Sequence, residues 1–288
     1  MPGKLIICPT PLGNLGDMPP RALDALAKAD VVCAEDTRVT GKLLAALGVS
    51  GKRMERLDEN LVGQKAADIC RRVQDGEVIA YCTDAGMPGV SDPGLRLVRA
   101  AREANTPVEV LPGPTAVATA YVASGCVDTA FYFGGFFPRK DAARKAVLDE
   151  LRGLHAALIF YESPNRLVSA LEIIARELPF REMAVCRELT KLHEEVVRGN
   201  TVELHELFAQ RENEGGIKGE IVLVVDGPPE SEALDRMQRA STDAAQRATT
   251  LLAEGMRVKQ VAKAISEEFG IPRNEAYDLS LTASRKSE

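Results

Sequence analysis

Two carboxylates, Asp84 and Asp92, sit in a loop built mostly of residues that bend or cap a chain, Cys82-Thr83-Asp84-Ala85-Gly86-Met87-Pro88-Gly89-Val90-Ser91-Asp92-Pro93-Gly94. Carboxylates beside a backbone that a ligand can approach closely suit a small polar cofactor. Glycine permits that approach, and Asp92 before Pro93 has the form of an N-cap and first helical residue. Residues 77–81 read as a short buried strand, and 95–104 carry apolar residues at helical spacing. The loop therefore leaves a strand at its carboxyl end, where open α/β sheets hold ligands. A loop that does no more than start a helix would account for the same residues.

Five further segments carry possible chemistry. Residues 9–17 (PTPLGNLGD) form another turn-rich exit from a strand but lack G-x-G-x-x-G, which argues against a dinucleotide site. Glu35-Asp36-Thr37-Arg38 concentrates two acids and a base outside the sheet, and a capping Asp36 partnered by Arg38 is the alternative. In residues 111–116 (LPGPTA) small side chains leave room for a planar ring and Thr115 offers a hydroxyl. Residues 160–166 (FYESPNR) repeat the strand-to-helix exit, with Ser163 as N-cap, Pro164 at the first helical position, and Glu162 and Arg166 close to the strand end. Residues 187–195 (RELTKLHEE) place six ionisable side chains in nine positions between two strands, as a solvated hairpin also would.

The elements that must position these loops follow from hydrophobic patterning. Strands at 5–8, 31–34, 78–82 and 108–111 alternate with helices at 21–28, 42–47, 95–104 and 115–123, the pattern of a mostly parallel α/β sheet. After Ser124-Gly125 the pattern changes. Strands at 131–134, 157–161, 183–187, 194–198 and 221–226 are interrupted by only three helices, at 142–151, 166–177 and 202–210, which predicts a mixed sheet. Beyond Gly227-Pro228-Pro229 the chain reads as helical, with Val258, Val261, Ala262 and Ile265 on one face and Phe269-Gly270-Ile271-Pro272 as a stop before a last helix from Arg273. The division expected is 1–125, 126–228 and a helix-turn-helix-like extension at 229–288.

Composition sets outer bounds. The 288 residues are 45% hydrophobic and 27% charged, as in ordinary globular proteins. No apolar run approaches the roughly 20 residues of a membrane span, and Met1-Pro2-Gly3-Lys4 runs straight into a strand without a signal-peptide pattern. A cytoplasmic protein is expected. Six scattered cysteines without C-x-x-C suggest buried reduced thiols, and His155, His193 and His205 lack metal-ligand spacing, so metal-independent chemistry is expected. A net charge of −6 argues against nonspecific nucleic-acid binding. From Ser231 onward nine basic and nine acidic residues balance, so the acidic excess lies before the extension. Any contact with RNA is then local, and Arg139, Lys140, Arg144 and Lys145 after Phe136-Phe137-Pro138 are the densest basic cluster.

Taken in order, TPLGNLGD, CAEDTR, TDAGMPGVSDPG, LPGPTA, GFFPRK, FYESPNR, RELTKLHEE and KGEIVLVV closely resemble the small-subunit ribosomal RNA cytidine 2′-O-methyltransferases, a family of the tetrapyrrole-methylase-like class. The resemblance covers residues 4 to about 226, and the helical tail resembles the family's C-terminal extension. It departs from the usual pattern at Asp58-Glu59-Asn60-Leu61 (His-Glu and a later Asn), at Met87 (Thr) and at Asn165 (His). The resemblance implies two α/β domains with S-adenosylmethionine in the cleft between them, a homodimer, and ribosomal RNA as partner. By position in the matched motifs, Leu12, Asp84, Ala85, Gly86, Met87, Val90, Thr115, Ala116, Tyr161, Leu189 and Gly219 are expected around the cofactor.

A ribose 2′-hydroxyl is a poor nucleophile at neutral pH, so a base, or a cation for the developing alkoxide, is expected. Lys191, Glu188, Asp36 and Glu59 are the candidates, with Lys191 and Glu188 favoured. A lysine serves as base only where its pKa is depressed. Arg38 joins Arg139, Lys140, Arg144 and Lys145 as expected RNA contacts. A small-molecule methyltransferase of tetrapyrrole type and a noncatalytic ribosome-assembly factor are the alternatives, since fold does not fix function.

Overall fold

The computed structural model describes residues 3–286, with the side chains of 230–240 and 285–286 outside the description. Residues 1–227 form one compact unit and 228–288 another.

The larger unit begins with β1 (Lys4–Ile7), α1 (Pro20–Lys28), β2 (Val31–Ala34), α2 (Thr37–Ala46), β3 (Met54–Arg56), α3 (Glu59–Gln74), β4 (Val78–Cys82), α4 (Gly94–Glu103), β5 (Val108–Val110) and α5 (Ala116–Ala123). Its sheet has the order β3-β2-β4-β1-β5, and every pairing is parallel. Continuous apolar runs such as Val31-Val32-Cys33-Ala34 suit a sheet covered on both faces. Leu5, Ile7, Val31, Ile79 and Tyr81 pack on one face against Val62, Ile69 and Val73 of α3 and Leu97 of α4. Ile6, Val32, Ala34 and Ala80 pack on the other against Ala22 and Leu26 of α1 and Leu44 of α2. The alternation expected from sequence steps from residues 42–47 to 78–82; the structure fills that interval with β3 and α3. Asp58 starts α3 by accepting from the amides of Asn60 and Leu61 at 3.0 and 3.1 Å.

The second sheet is built from β6 (Phe131–Phe136), α6 (Asp141–Leu151), β7 (Ala157–Glu162), α7 (Leu167–Glu177), β8 (Glu182–Arg187), β9 (Glu195–Asn200), α8 (Thr201–Gly215) and β10 (Ile221–Val225). Its order is β6-β7-β10-β8-β9, with β6 and β7 parallel and the remaining pairs antiparallel, so the mixed sheet expected from sequence is present. Val117 and Ala120 of α5 pack on Ile159, Cys186 and Val222, which ties the first half of the chain to the second sheet.

The smaller unit comprises α9 (Glu230–Ala253), α10 (Val258–Phe269) and α11 (Arg273–Lys286), packed around Ala244, Leu251, Val261, Ile265 and Ala276. Gly270 ends α10 in the left-handed conformation at φ +66°, which glycine adopts without strain. Among the described residues no helix is long and apolar enough to cross a membrane. All six cysteines are free, and burial pushes the Cys33 thiol up to about 12.

Candidate active site

The carboxyl ends of the parallel strands send out the loops that line a cleft of about 500 Å³. The loops after β1 and β4 are joined, Thr10 N donating to Gly86 O at 3.0 Å and Gly86 N to Thr10 O at 3.1 Å. Gly86 has φ +79°, and a Cβ there would meet Leu12 Cδ2 at 3.0 Å, so the turn requires glycine on conformational and steric grounds. From the second sheet, a bulge between Phe133 and Phe136 brings Phe136 to the cleft, edge-on to Tyr161 with ring centroids 5.5 Å apart. The bulge depends on Gly134, where a Cβ would lie 2.3 Å from the Phe160 ring.

The lining includes Leu12, Asp84, Ala85, Gly86, Met87, Val90, Thr115, Ala116, Tyr161 and Gly219, ten of the residues expected around a cofactor. Leu189, the eleventh, does not line it. It is buried behind the wall with Ala116, Tyr161 and Val222. The lining also holds Asp92, the second carboxylate of the loop after β4, together with Glu35, Glu162 and Glu220, and among the described residues no lysine, arginine or histidine. Five acids with no lining base make a cleft suited to a cationic ligand.

The acids differ in what holds them. Asp84 accepts from the Asp36 amide at 3.1 Å. Asp92 accepts from the amides of Gly89 and Gly94 at 2.7 and 2.8 Å. Burial raises the pKa of both carboxyls, against the lowering effect of those amides. Glu35 at the end of β2 is raised by burial and by the charges of Asp84 and Asp92. Glu162 is buried and accepts from Arg166 Nε at 2.7 Å, with Arg144 Nη2 at 3.5 Å from its other oxygen.

The charged loop between β8 and β9 places Lys191 Nζ 2.8 Å from Glu188 Oε1 and 3.1 Å from Glu220 Oε2. Lys191 also covers Gly13, where a Cβ would meet its Cγ at 2.2 Å, so this lysine bridges loops from the two halves. Glu188 and Thr190 have φ of +52° and +66°, a strained conformation for residues with side chains. Burial acts to lower the Lys191 pKa, but the hydrogen bonds and charges of Glu188 and Glu220 outweigh it and the net shift is upward. Lys191 thus lacks the depressed value that a lysine base requires. Hydrogen bonds from Lys191 and the Glu220 amide hold the Glu188 carboxyl below the ordinary range.

Asp36 and Glu59 lie outside the cleft lining. Asp36 caps α2 through the Arg38 amide at 2.8 Å and binds the Arg38 guanidinium at 2.7 Å, which lowers its pKa. Glu59 is exposed and pairs with Arg96 at 2.6 Å. Of the expected RNA contacts, Arg139 and Lys140 are exposed and their side chains form no hydrogen bond or ion pair within the described residues, and the Arg38 side chain is largely exposed. Lys145 is half-exposed and binds Glu177 at 3.0 Å. Arg144 must be corrected: it is 2% exposed and donates to Pro138 O and Ser169 Oγ at 2.8 and 3.0 Å. Helical spacing on α6 turns it inward, away from any phosphate.

Cys126, Asp128 and Asp226 form a separate cluster with donor atoms within 4.8 Å of one another. Arg198 binds Asp226, and Asp128 accepts from the Gly227 amide at 2.8 Å, so the cluster is occupied by the protein's own donors.

A family model described as Tetrapyrrole (Corrin/Porphyrin) Methylases matches residues 4–205, and one described as RsmI C-terminal HTH domain matches 239–284. Ribosomal RNA small subunit methyltransferase I of Micromonospora olivasterospora is 39% identical over 285 residues, covering 99% of this chain and 88% of the relative. The protein of the same name from Vibrio cholerae is 40% identical over 278 residues, covering 96% and 94%. Among solved structures, a diphthine synthase superposes with a TM-score of 0.60 at 14% identity over 77% of this chain and 90% of that one. The methyltransferase CobJ superposes at 0.58 and 18% identity over 78% and 100%. At such identities the structural matches speak for the fold alone.

Proposed function

The chain belongs to the ribosomal RNA small subunit methyltransferase I family, and from that premise we propose that it transfers a methyl group from S-adenosylmethionine to the 2′-hydroxyl of a cytidine in small-subunit ribosomal RNA. The observation that carries the reading is the cleft itself, with five carboxylates and no basic residue in its lining. S-adenosylmethionine supplies a methyl group activated by a sulfonium, and it brings the positive charge that such a lining favours. Ala85, Gly86 and Ala116 leave space for a ring, Leu12, Met87, Val90 and Tyr161 provide apolar contact, and Thr115 and the backbone of the Gly86 turn offer polar atoms. The chain's contribution is position and electrostatics.

Lys191 acts here as a cation that holds Glu188 and Glu220 and faces negative charge at the edge of the cleft. Arg38, Arg139 and Lys140 are the proposed phosphate contacts, with Lys145 beside them. Two α/β domains meeting near residue 125 and a third, helical domain fit the reading. A homodimer fits too: Val122, Val127 and Phe131 expose apolar side chains within one short stretch of chain, and Tyr121 and Phe131 are in ring contact at 5.0 Å. The proposed site of action is the cytoplasm, where small subunits are assembled.

The test supplies radiolabelled S-adenosylmethionine with small ribosomal subunits from a strain lacking the gene, and in parallel with a tetrapyrrole acceptor. The expected result is label in RNA alone. Label in the tetrapyrrole would favour a small-molecule enzyme, and cofactor binding without transfer an assembly factor.

A further inference from the structure

Of the five cleft carboxylates, four are committed. Asp84 and Asp92 receive backbone amides, Glu162 receives Arg166, and Glu220 receives Lys191. Glu35 lines the same cleft and makes no hydrogen bond or ion pair with any described residue. Its backbone follows directly on β2, an inner strand of the sheet, so the residue is anchored at the cleft while both carboxylate oxygens remain available.

We propose that Glu35 is the catalytic residue that takes the proton from the hydroxyl being methylated, an inference that rests on the RNA methyltransferase reading above. The new bond joins the ribose oxygen to the methyl carbon, and the sulfur–carbon bond breaks with its electron pair left on sulfur. The hydroxyl proton ends on a Glu35 oxygen and passes from there to water. The charged groups that bear most on Glu35 from neighbouring elements are acidic: Asp84 and Asp92 from the loop after β4, Asp58 and Glu59 from the start of α3. The nearby cations are already engaged, Arg56 by Asp58 at 2.7 Å, Arg96 by Glu59 at 2.6 Å and Arg38 by Asp36. Burial first, and these negative surroundings second, make Glu35 a stronger base than an ordinary carboxylate. The Lys191–Glu188 pair favoured from sequence lacks this property, because each member saturates the other.

The same arrangement makes a prediction about the protein without cofactor or RNA. A carboxyl raised above its unfolded value adds no penalty below the unfolded pKa, and the folded state loses stability as pH rises through the folded pKa. Glu35→Gln removes that penalty, so its melting temperature rises relative to wild type at pH 8 and not at pH 4. A carboxylate with a purely structural role shows the reverse at pH 8.

The experiment compares wild type, Glu35→Gln and Glu35→Asp in methyl transfer to small subunits, in calorimetric binding of S-adenosylmethionine, and in thermal unfolding at both pH values. Expected for Glu35→Gln are a loss of transfer of roughly 10²- to 10⁴-fold, the range for a general base, a much smaller loss of cofactor affinity because four carboxylates still line the cleft, and the gain in melting temperature at pH 8. Glu35→Asp, which keeps a carboxylate, retains a larger share of the rate and the acid limb of the pH profile, and that limb is missing from the residual rate of Glu35→Gln. Glu35→Gln that transfers as well as wild type, or loses cofactor affinity in step with transfer, or melts lower at pH 8, overturns the role of Glu35 while the RNA reading stands. Wild type that labels no RNA overturns both.

Discussion

On the side of the first sheet the cleft carries Glu35, Asp84 and Asp92, held by backbone amides or by nothing, whereas on the side of the second sheet Glu162 and Glu220 are matched by Arg144, Arg166 and Lys191. The two walls line one cavity and carry charge of the same sign, yet only the second is neutralised by its own side chains. A carboxylate wholly removed from water needs compensating charge inside the protein, and Glu162, with no exposed side-chain surface, receives it from two arginines. Carboxylates that still touch the cleft can be left for a ligand to compensate. The difference separates a wall that supports the site from a wall available for binding and proton transfer.

The strongest way to break this comparison is to remove one side of the buried pair. Arg144→Ala leaves Glu162 short of a partner in the interior and is expected to cost about 3–5 kcal/mol of stability, measured by urea unfolding. The sign is opposite to that expected of Glu35→Gln at neutral pH. A cost below about 1 kcal/mol, the range of an exposed pair, would place Arg144 in a relaxed environment and erase the contrast between the walls. Gly219→Ala comes next. With φ at +97° and a Cβ 2.4 Å from Glu188 Cγ, the substitution forces both backbone and the Lys191 network to shift. A cost of about 1–3 kcal/mol is expected, together with weaker cofactor binding by calorimetry.

Smaller effects sharpen the same picture. Asp58→Ala removes the N-cap of α3 and should cost about 1 kcal/mol. Because Asp58 is one of the negative charges bearing on Glu35, the acid limb of the pH–rate profile should also move to lower pH. Arg139→Ala with Lys140→Ala should change stability by no more than about 0.5 kcal/mol. It should lower RNA affinity and reduce the salt dependence of binding by about one ion per lost phosphate contact, with cofactor affinity unchanged.

Much of this was legible in the sequence because the loops that line the cleft are rich in glycine, proline and capping residues. The alternation of strand and helix located the exits of β1, β2, β4 and β5 to within about a residue. The interval 54–74 was harder to read: β3 is a three-residue edge strand with two charged residues, although the spacing of Val62, Ala66, Ile69 and Val73 does carry a helical signal. Arg144 in a run of basic residues looks like surface, and only the turn of α6 separates it from Arg139 and Lys140. In the motif that Glu35 shares with Asp36, the capping reading of Asp36 with Arg38 was legible and is what the structure has, whereas nothing in the residue types showed that Glu35 would face the cavity. Spacing along the chain shows which residues share a loop, while commitment to a partner depends on distances between loops far apart in sequence.

The most direct test of the proposed activity is nucleoside analysis of small-subunit RNA after incubation with the protein and S-adenosylmethionine, the subunits coming from a strain that lacks it. The account predicts a gain of ribose-methylated cytidine in wild type and its near-absence with Glu35→Gln. A methyl group on a base, or RNA left unmodified by wild type, would contradict it.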